Sequence, residues 1–226
     1  MTARSRAIAA AWLGIVAGAA SLIPSTPMAQ PPAAEELLRR GTHAYQRGDL
    51  RTAVAAFTEA VRIDPGHAQA HYQLCAARYQ LDETTRALED CSRAIGLRPA
   101  FTEAYYLRGL LRSQKLGDNH GAVQDFDQAI RLKPDHAAAY LKRGNARARL
   151  GDLRSGLADY DRAIGLDPVY ADAYFNRGVV RYQLKDVTGA LDDLRQAARH
   201  HREQGDQSGY ERAQAGIRQV ETETRR

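Results

Sequence analysis

His67 and His71 stand four residues apart, an interval that sets two imidazoles on one face of a helix, as a zinc site requires. A closed site needs a third and a fourth ligand, and no cluster that supplies both is visible around this pair. His67 also occupies the place that Phe101, His136 and Tyr170 hold in later stretches, and His71 the place of Tyr105, Tyr140 and Tyr174, so both read as packing positions. His200 and His201 are adjacent and diverge on a helix. No Gly-rich phosphate loop, nucleophile elbow or two-metal carboxylate cluster occurs. The expectation is therefore no catalytic residue, no metal and no cofactor.

The elements that carry these residues recur with a fixed period. Pro65, Pro99, Pro134 and Pro168 each follow an apolar stretch, and are spaced by about 34 residues. Proline lacks an amide donor and clashes with the preceding turn, so each marks the end of a helix. Counted from Ala34 as the first residue, Gly41, Gly109, Gly144 and Gly178 fall at the eighth place of their units. Ala53, Ala87, Ala122, Gly156 and Ala190 fall at the twentieth, and Ala60, Ala94, Ala129, Ala163 and Ala197 at the twenty-seventh. Small residues there let two antiparallel helices approach closely. Phe57, Cys91, Phe126, Tyr160 and Leu194 stand at the twenty-fourth. The third unit holds one extra residue around Leu116.

This register gives meaning to two further sets of residues. Cys75 replaces glycine at the eighth place of the second unit, and Cys91 replaces the large residue at its twenty-fourth. In an oxidising compartment such a pair can form a disulfide. If the two places are not directly opposite, the cysteines remain buried thiols. Arg108, Arg143 and Arg177 at the seventh place recur with Asp125, Asp159 and Asp193 at the twenty-third, and read as ion pairs between the helices of one hairpin. The other reading joins them with Arg112, Arg147 and Arg181 in an anion-binding stripe.

Together these places resemble the tetratricopeptide repeat, with a small residue at eight, Ala at twenty, an aromatic at twenty-four and Pro at thirty-two. The resemblance implies an all-α, right-handed α-solenoid of five helical hairpins over 34–67, 68–101, 102–136, 137–170 and 171–204. Tyr210, Ala213, Ile217 and Val220 follow at helical spacing, so 205–226 is expected to hold a capping helix and tail. In the family the fifth and twelfth places line a concave groove, which implies a trough of Tyr72, Tyr79, Tyr106, Phe175 and Tyr182. Asn145 and Asn176, at the ninth and sixth places of adjacent units, offer both donor and acceptor to a peptide backbone. Leu141 stands where a carboxylate clamp needs lysine, which argues against recognition of a free C-terminus.

The net charge is +5 with both signs interspersed, so no single-sign block suggests nucleic acid as a partner. Residues 1–29 carry Arg4 and Arg6, an uncharged run over 7–23, and then small residues up to Ala29: the layout of an export signal. Residues 30–33 are a linker. The destination is periplasmic or secreted. The alternative is an inner-membrane anchor, since 17 apolar residues barely reach spanning length; membrane contact is expected only if the segment is retained. The functional expectation is a non-enzymatic adaptor or assembly factor whose groove binds a protein or peptide client. The second reading is a permanent subunit of a cell-envelope complex, and neither takes a small-molecule substrate.

Overall fold

The computed structural model describes residues 32–224; the expected export signal and the first two linker residues lie outside them. The described chain is helical throughout: α1 (Pro32–Gln46), α2 (Leu50–Ile63), α3 (Ala68–Gln80), α4 (Thr84–Leu97), α5 (Thr102–Leu110), α6 (Asn119–Leu132), α7 (Ala137–Arg149), α8 (Leu153–Leu166), α9 (Ala171–Gln183), α10 (Val187–Glu203) and α11 (Gln207–Thr224). Each consecutive pair from α1–α2 to α9–α10 is a hairpin, and each hairpin packs against the next to form a solenoid.

Local rules set the helix ends. The residue before each periodic proline is pushed out of the helical region by the ring behind it. Asp64, Arg98, Lys133 and Asp167 accordingly sit at φ between −125° and −137° with ψ near 90°. Inside the hairpins the turn places its middle residue in the left-handed region: Gly48, Gly117 and Gly151, but also Asp82 at φ 58° and Lys185 at φ 70°. The next residue caps the following helix, with the Asp49, Asp118, Asp152 and Asp186 carboxylates each accepting an amide three residues on. Glu83 at the same place makes no side-chain cap. The fifth unit has no proline, so α10 runs on to Glu203. Gly205 and Asp206 then repeat the in-hairpin turn and start α11.

The extra residue of the third unit is absorbed inside its first helix. Leu111–Lys115 form a π turn, in which the Leu116 amide reaches back to the Leu111 carbonyl. One residue added to a helix is accommodated this way without breaking it. Leu111 is thereby placed in the core with Cys75, Cys91, Ala87 and Leu107.

Close approach at the eighth place governs each hairpin. A Cβ added to Gly41 would stand 2.5 Å from the Phe57 ring, one at Gly109 2.7 Å from Phe126, and one at Gly144 2.7 Å from Tyr160. The eighth and twenty-fourth places are thus directly opposed. The second hairpin replaces glycine and ring with a bond: Cys75 and Cys91 form a disulfide across a Cα–Cα distance of 5.4 Å. Of the two outcomes that the sequence left open, a bridge or two buried thiols, the bridge forms, because the same proximity that excludes a side chain beside a ring suits two short ones.

Reducing this bridge, which spans 16 residues of chain, should lower stability by about 3 kcal/mol. The double variant C75G/C91F restores the glycine-on-ring contact and should recover most of that loss, read as the urea midpoint with and without reductant. Identical midpoints for oxidised and reduced protein would show that the bridge contributes nothing.

Candidate functional site

Three carboxylates buried between helices organise the middle of the solenoid. Asp125, Asp159 and Asp193 are each about 2% exposed. Each receives two guanidinium groups from the facing helix, one turn apart. Arg108 donates to Asp125 from Nη2 at 2.7 Å and Arg112 from Nη1 at 2.8 Å. Arg147 donates to Asp159 at 2.9 Å beside Arg143, and Arg181 to Asp193 at 2.9 Å beside Arg177. The expected hairpin ion pairs are present, and the second arginines that formed the alternative anion stripe are drawn into the same clusters.

The first arginine of each cluster also reaches backwards. Arg143 Nη1 donates to Asp127 at 2.6 Å and Arg177 Nη1 to Asp161 at 2.6 Å, both on the preceding hairpin, while Arg108 finds Ser92 there. One guanidinium therefore ties a hairpin to itself and to its neighbour. Burial pulls the Arg177 guanidinium down, but Asp193 and Asp161 outweigh it and hold it above its ordinary value. Arg143 is raised in the same way by Asp159 and Asp127 against its own burial.

On the concave side the first helices α1, α3, α5, α7 and α9 present the places that sequence singled out. Asn145 and Asn176 meet: the Asn176 Nδ2 donates to Asn145 Oδ1 at 3.0 Å. That same oxygen accepts the Tyr160 hydroxyl at 2.9 Å. Tyr160 is buried against Gly144, and burial pushes its hydroxyl well above the usual tyrosine range, so it stays a donor. Sequence reasoning missed this support. The signal was a hydroxyl carried by the ring of one unit where the first and third units carry phenylalanine.

The tyrosines divide by place. At the twelfth, hydroxyls link neighbouring hairpins: Tyr79 donates to Gln114 at 2.8 Å, Gln80 donates to Tyr45, and Tyr182 donates to Glu223 of α11. At the fifth, Tyr72 packs on Phe101 with ring centroids 4.9 Å apart, and Tyr106 lies between Phe126 and His136 at 5.8 and 4.9 Å. Burial pushes the Tyr106 hydroxyl up to about 12. Phe175 packs with Tyr210 and Ala213 where α11 closes the end of the solenoid, under the Arg212 guanidinium. Leu141, at the fifth place of its unit, is 1% exposed and belongs to the core beneath Tyr160 instead of the trough.

His67 and His71 are committed locally. The His67 Nδ1 accepts the Ala70 amide at 3.1 Å as a helix cap, and His71 Nε2 lies 3.2 Å from the Pro65 carbonyl. His200 and His201 are buried at the α10–α11 corner against Glu203 and Asp206. A cavity of about 650 Å³ opens at the other end of the concave face, between α1 and α3, lined by Glu35, Leu38, Thr42, Gln69 and Gln73 among others. Sequence reasoning did not single out this cavity.

The family model of the tetratricopeptide repeat matches residues 38–100 and 141–208, and a second repeat model matches 112–151. The chain belongs to the tetratricopeptide repeat family. It is 34% identical over 110 residues to human tetratricopeptide repeat protein 36, covering 47% of this chain and 58% of that protein. With mouse serine/threonine-protein phosphatase 5 it shares 28% over 116 residues, covering 49% of this chain and 23% of that protein. The chain thus spans less than two thirds of these relatives. Among solved structures, the 41-end piece of MamA from Desulfovibrio magneticus RS-1 superposes with TM-score 0.73 at 22% identity, covering 78% of this chain and 99% of that one. YrrB, described as a TPR protein with an unusual peptide-binding site, superposes with TM-score 0.67 at 21% identity, covering 80% and 92%. These likenesses show the fold. Tetratricopeptide repeats are an interaction scaffold, and the described residues contain no group of three or more His, Cys, Asp or Glu that could hold a metal.

Removing Asp159 takes from Arg147 its hydrogen-bonded carboxylate and leaves Arg143 with Asp127 alone, and breaking a buried ion pair in this way costs about 3–5 kcal/mol. Asp159→Ala should therefore lower the unfolding free energy by that order. Asp161→Ala, whose side chain is 58% exposed, should cost less than about 1 kcal/mol. Urea unfolding of the two variants reads the contrast, and equal losses would count against the buried network as the hairpin tie.

Proposed function

We propose that the concave face of the third to fifth repeats holds an extended segment of a protein partner by its backbone. One observation carries this reading. Asn145 Oδ1 is filled by Tyr160 and Asn176, which fixes both amides and leaves the Asn145 Nδ2 hydrogens and the Asn176 Oδ1 without a hydrogen-bond partner among the described residues. A donor and an acceptor held side by side match a peptide unit, whatever side chains flank it. Since the amides are already ordered, binding does not incur the cost of immobilising them.

The relatives support a binding role without naming the client. Hsc70-interacting protein 1 of Drosophila melanogaster is 31% identical over 102 residues, and YrrB is described by its peptide-binding site. The chain acts on this reading as an exported, non-enzymatic adaptor or assembly factor. Export rests on the layout of residues 1–29. Intact mass of the native product should show a start at Gln30; a membrane-bound species retaining Met1 would support the anchor instead.

The groove is tested by a photo-crosslinker placed at Val179, which lies on α9 one turn beyond Asn176 and is 38% exposed. Asn145→Ala alone would orphan the buried Tyr160 hydroxyl at a cost of about 1–3 kcal/mol. The test variant is therefore N145A/N176A with Tyr160→Phe. It should keep its helicity and lose most of the adducts that the wild type forms in cells. Unchanged adducts would move the binding surface elsewhere.

A further inference from the structure

Each ring at the twenty-fourth place lies in one core cluster with the residue at the tenth place of the next unit. Phe57 is clustered with Ala77, Phe126 with Ala146 and Tyr160 with Val180. At the second unit the pair is changed on both sides. Cys91 stands for the ring, and Leu111 stands for the small residue, in one cluster with Cys75, Ala87 and Leu107. The space that a shortened twenty-fourth residue would leave is thus filled from the third hairpin, by the π turn that continues α5. Cys75, Cys91 and Leu111 are each 0% exposed, and the first hairpin packs elsewhere on α3, at Ala70, Leu74 and Ala77. The outer cover of the two sulfur atoms therefore comes from the first helix of the third hairpin.

A disulfide forms by attack of a thiolate on a disulfide sulfur, and a sulfur with no exposed surface offers no line of attack. We propose that a disulfide-bearing thiol oxidant is a partner of this chain, that it joins Cys75 to Cys91 before the third hairpin docks, and that Leu111 then closes the site. One cysteine thiolate attacks the oxidant's disulfide, releases one of its sulfurs as a thiolate and leaves a mixed disulfide. The other cysteine thiolate attacks that mixed disulfide at the sulfur of this chain, forms the Cys75–Cys91 bond and releases the oxidant's second sulfur. The two cysteine protons pass to the released thiolates or to water, and the oxidant is reduced by two electrons to a dithiol. Chain order suits this sequence of events. Both cysteines precede Leu107 and Leu111 and are 16 residues apart, so the loop they close is complete within the second hairpin. Docking of the third hairpin then fixes whichever redox state the pair carries. Nothing in this order depends on what the groove binds.

The test offers oxidised glutathione to the full mature chain with its cysteines reduced, and reads the remaining thiols by mass after rapid alkylation. The chain unfolded in urea should bridge freely, and the folded chain at least about a hundredfold more slowly, because its sulfurs are reached only when the third hairpin opens. Leu111→Ala should speed the folded reaction by about tenfold or more, since it weakens the docking that closes the site. Leu194→Ala removes an equally buried leucine from the last hairpin. It should leave the rate within about twofold, as each hairpin of a solenoid contacts its neighbours alone. Leu111→Val keeps most of the side chain, should fall between wild type and Leu111→Ala, and decides the matter if the alanine variant loses its helicity. Dithiothreitol reduction of the bridged chain should follow the same order. If folded and unfolded chains bridge at equal rates, oxidation has no need to precede docking and the proposal is wrong. It is equally wrong if the Leu111 and Leu194 variants speed the reaction alike, because the sulfurs are then reached only by unfolding of the whole chain.

Discussion

The close approach of the eighth place of a unit to its twenty-fourth, glycine against a ring in the first, third and fourth units, is the constraint on which the other features rest. Helices can approach so closely only where one of them has no side chain, and the ring then fills the space that a Cβ would take. Gly41 with Phe57, Gly109 with Phe126 and Gly144 with Tyr160 repeat this contact along the solenoid. Where the pair is changed to Cys75 and Cys91, the same proximity becomes a covalent bond. Where the ring is a tyrosine, its hydroxyl emerges at Asn145 and helps to build the concave face.

A second layer of order is electrostatic. Buried carboxylates are costly unless their lone pairs are filled, and each of Asp125, Asp159 and Asp193 is filled by two guanidinium groups. The arginine at the seventh place extends the cluster to the hairpin before it, and it stacks its guanidinium over Tyr105, Tyr140 or Tyr174. Apolar stacking alone tolerates sliding between hairpins. A guanidinium bonded to the second helix of its own hairpin and to that of the hairpin before it does not, so the spacing of the first helices is set before any partner arrives. A groove built this way is a pre-organised surface, with free energy of binding lost to neither hairpin motion nor side-chain ordering.

The first repeat departs from this scheme. Ala56 stands where the later units carry aspartate, and Arg40 is exposed. Its hairpin is held to the second by the Tyr45–Gln80 contact and by packing of Phe57, Ala60, Ala70 and Leu74. The cavity between α1 and α3 lies in this region. At the other end α11 closes the last hairpin through Ala213, Val220 and the Tyr182–Glu223 contact.

Sequence by itself determined the helix pairs, their ends, the register of five units and the capping helix, because these follow from local rules: proline stops a helix, aspartate caps one, and small residues recur where helices touch. It also placed Asp125, Asp159 and Asp193 opposite Arg108, Arg143 and Arg177, since that pairing is a matter of period. Only the tertiary structure decided the rest. Whether Cys75 faces Cys91 depends on how deeply two helices interpenetrate. Whether Arg112, Arg147 and Arg181 are free or bound depends on whether a carboxylate has two open sides. Asn145 and Asn176 are 31 residues apart and on different hairpins; their meeting is set by the distance between stacked helices, which no single unit encodes.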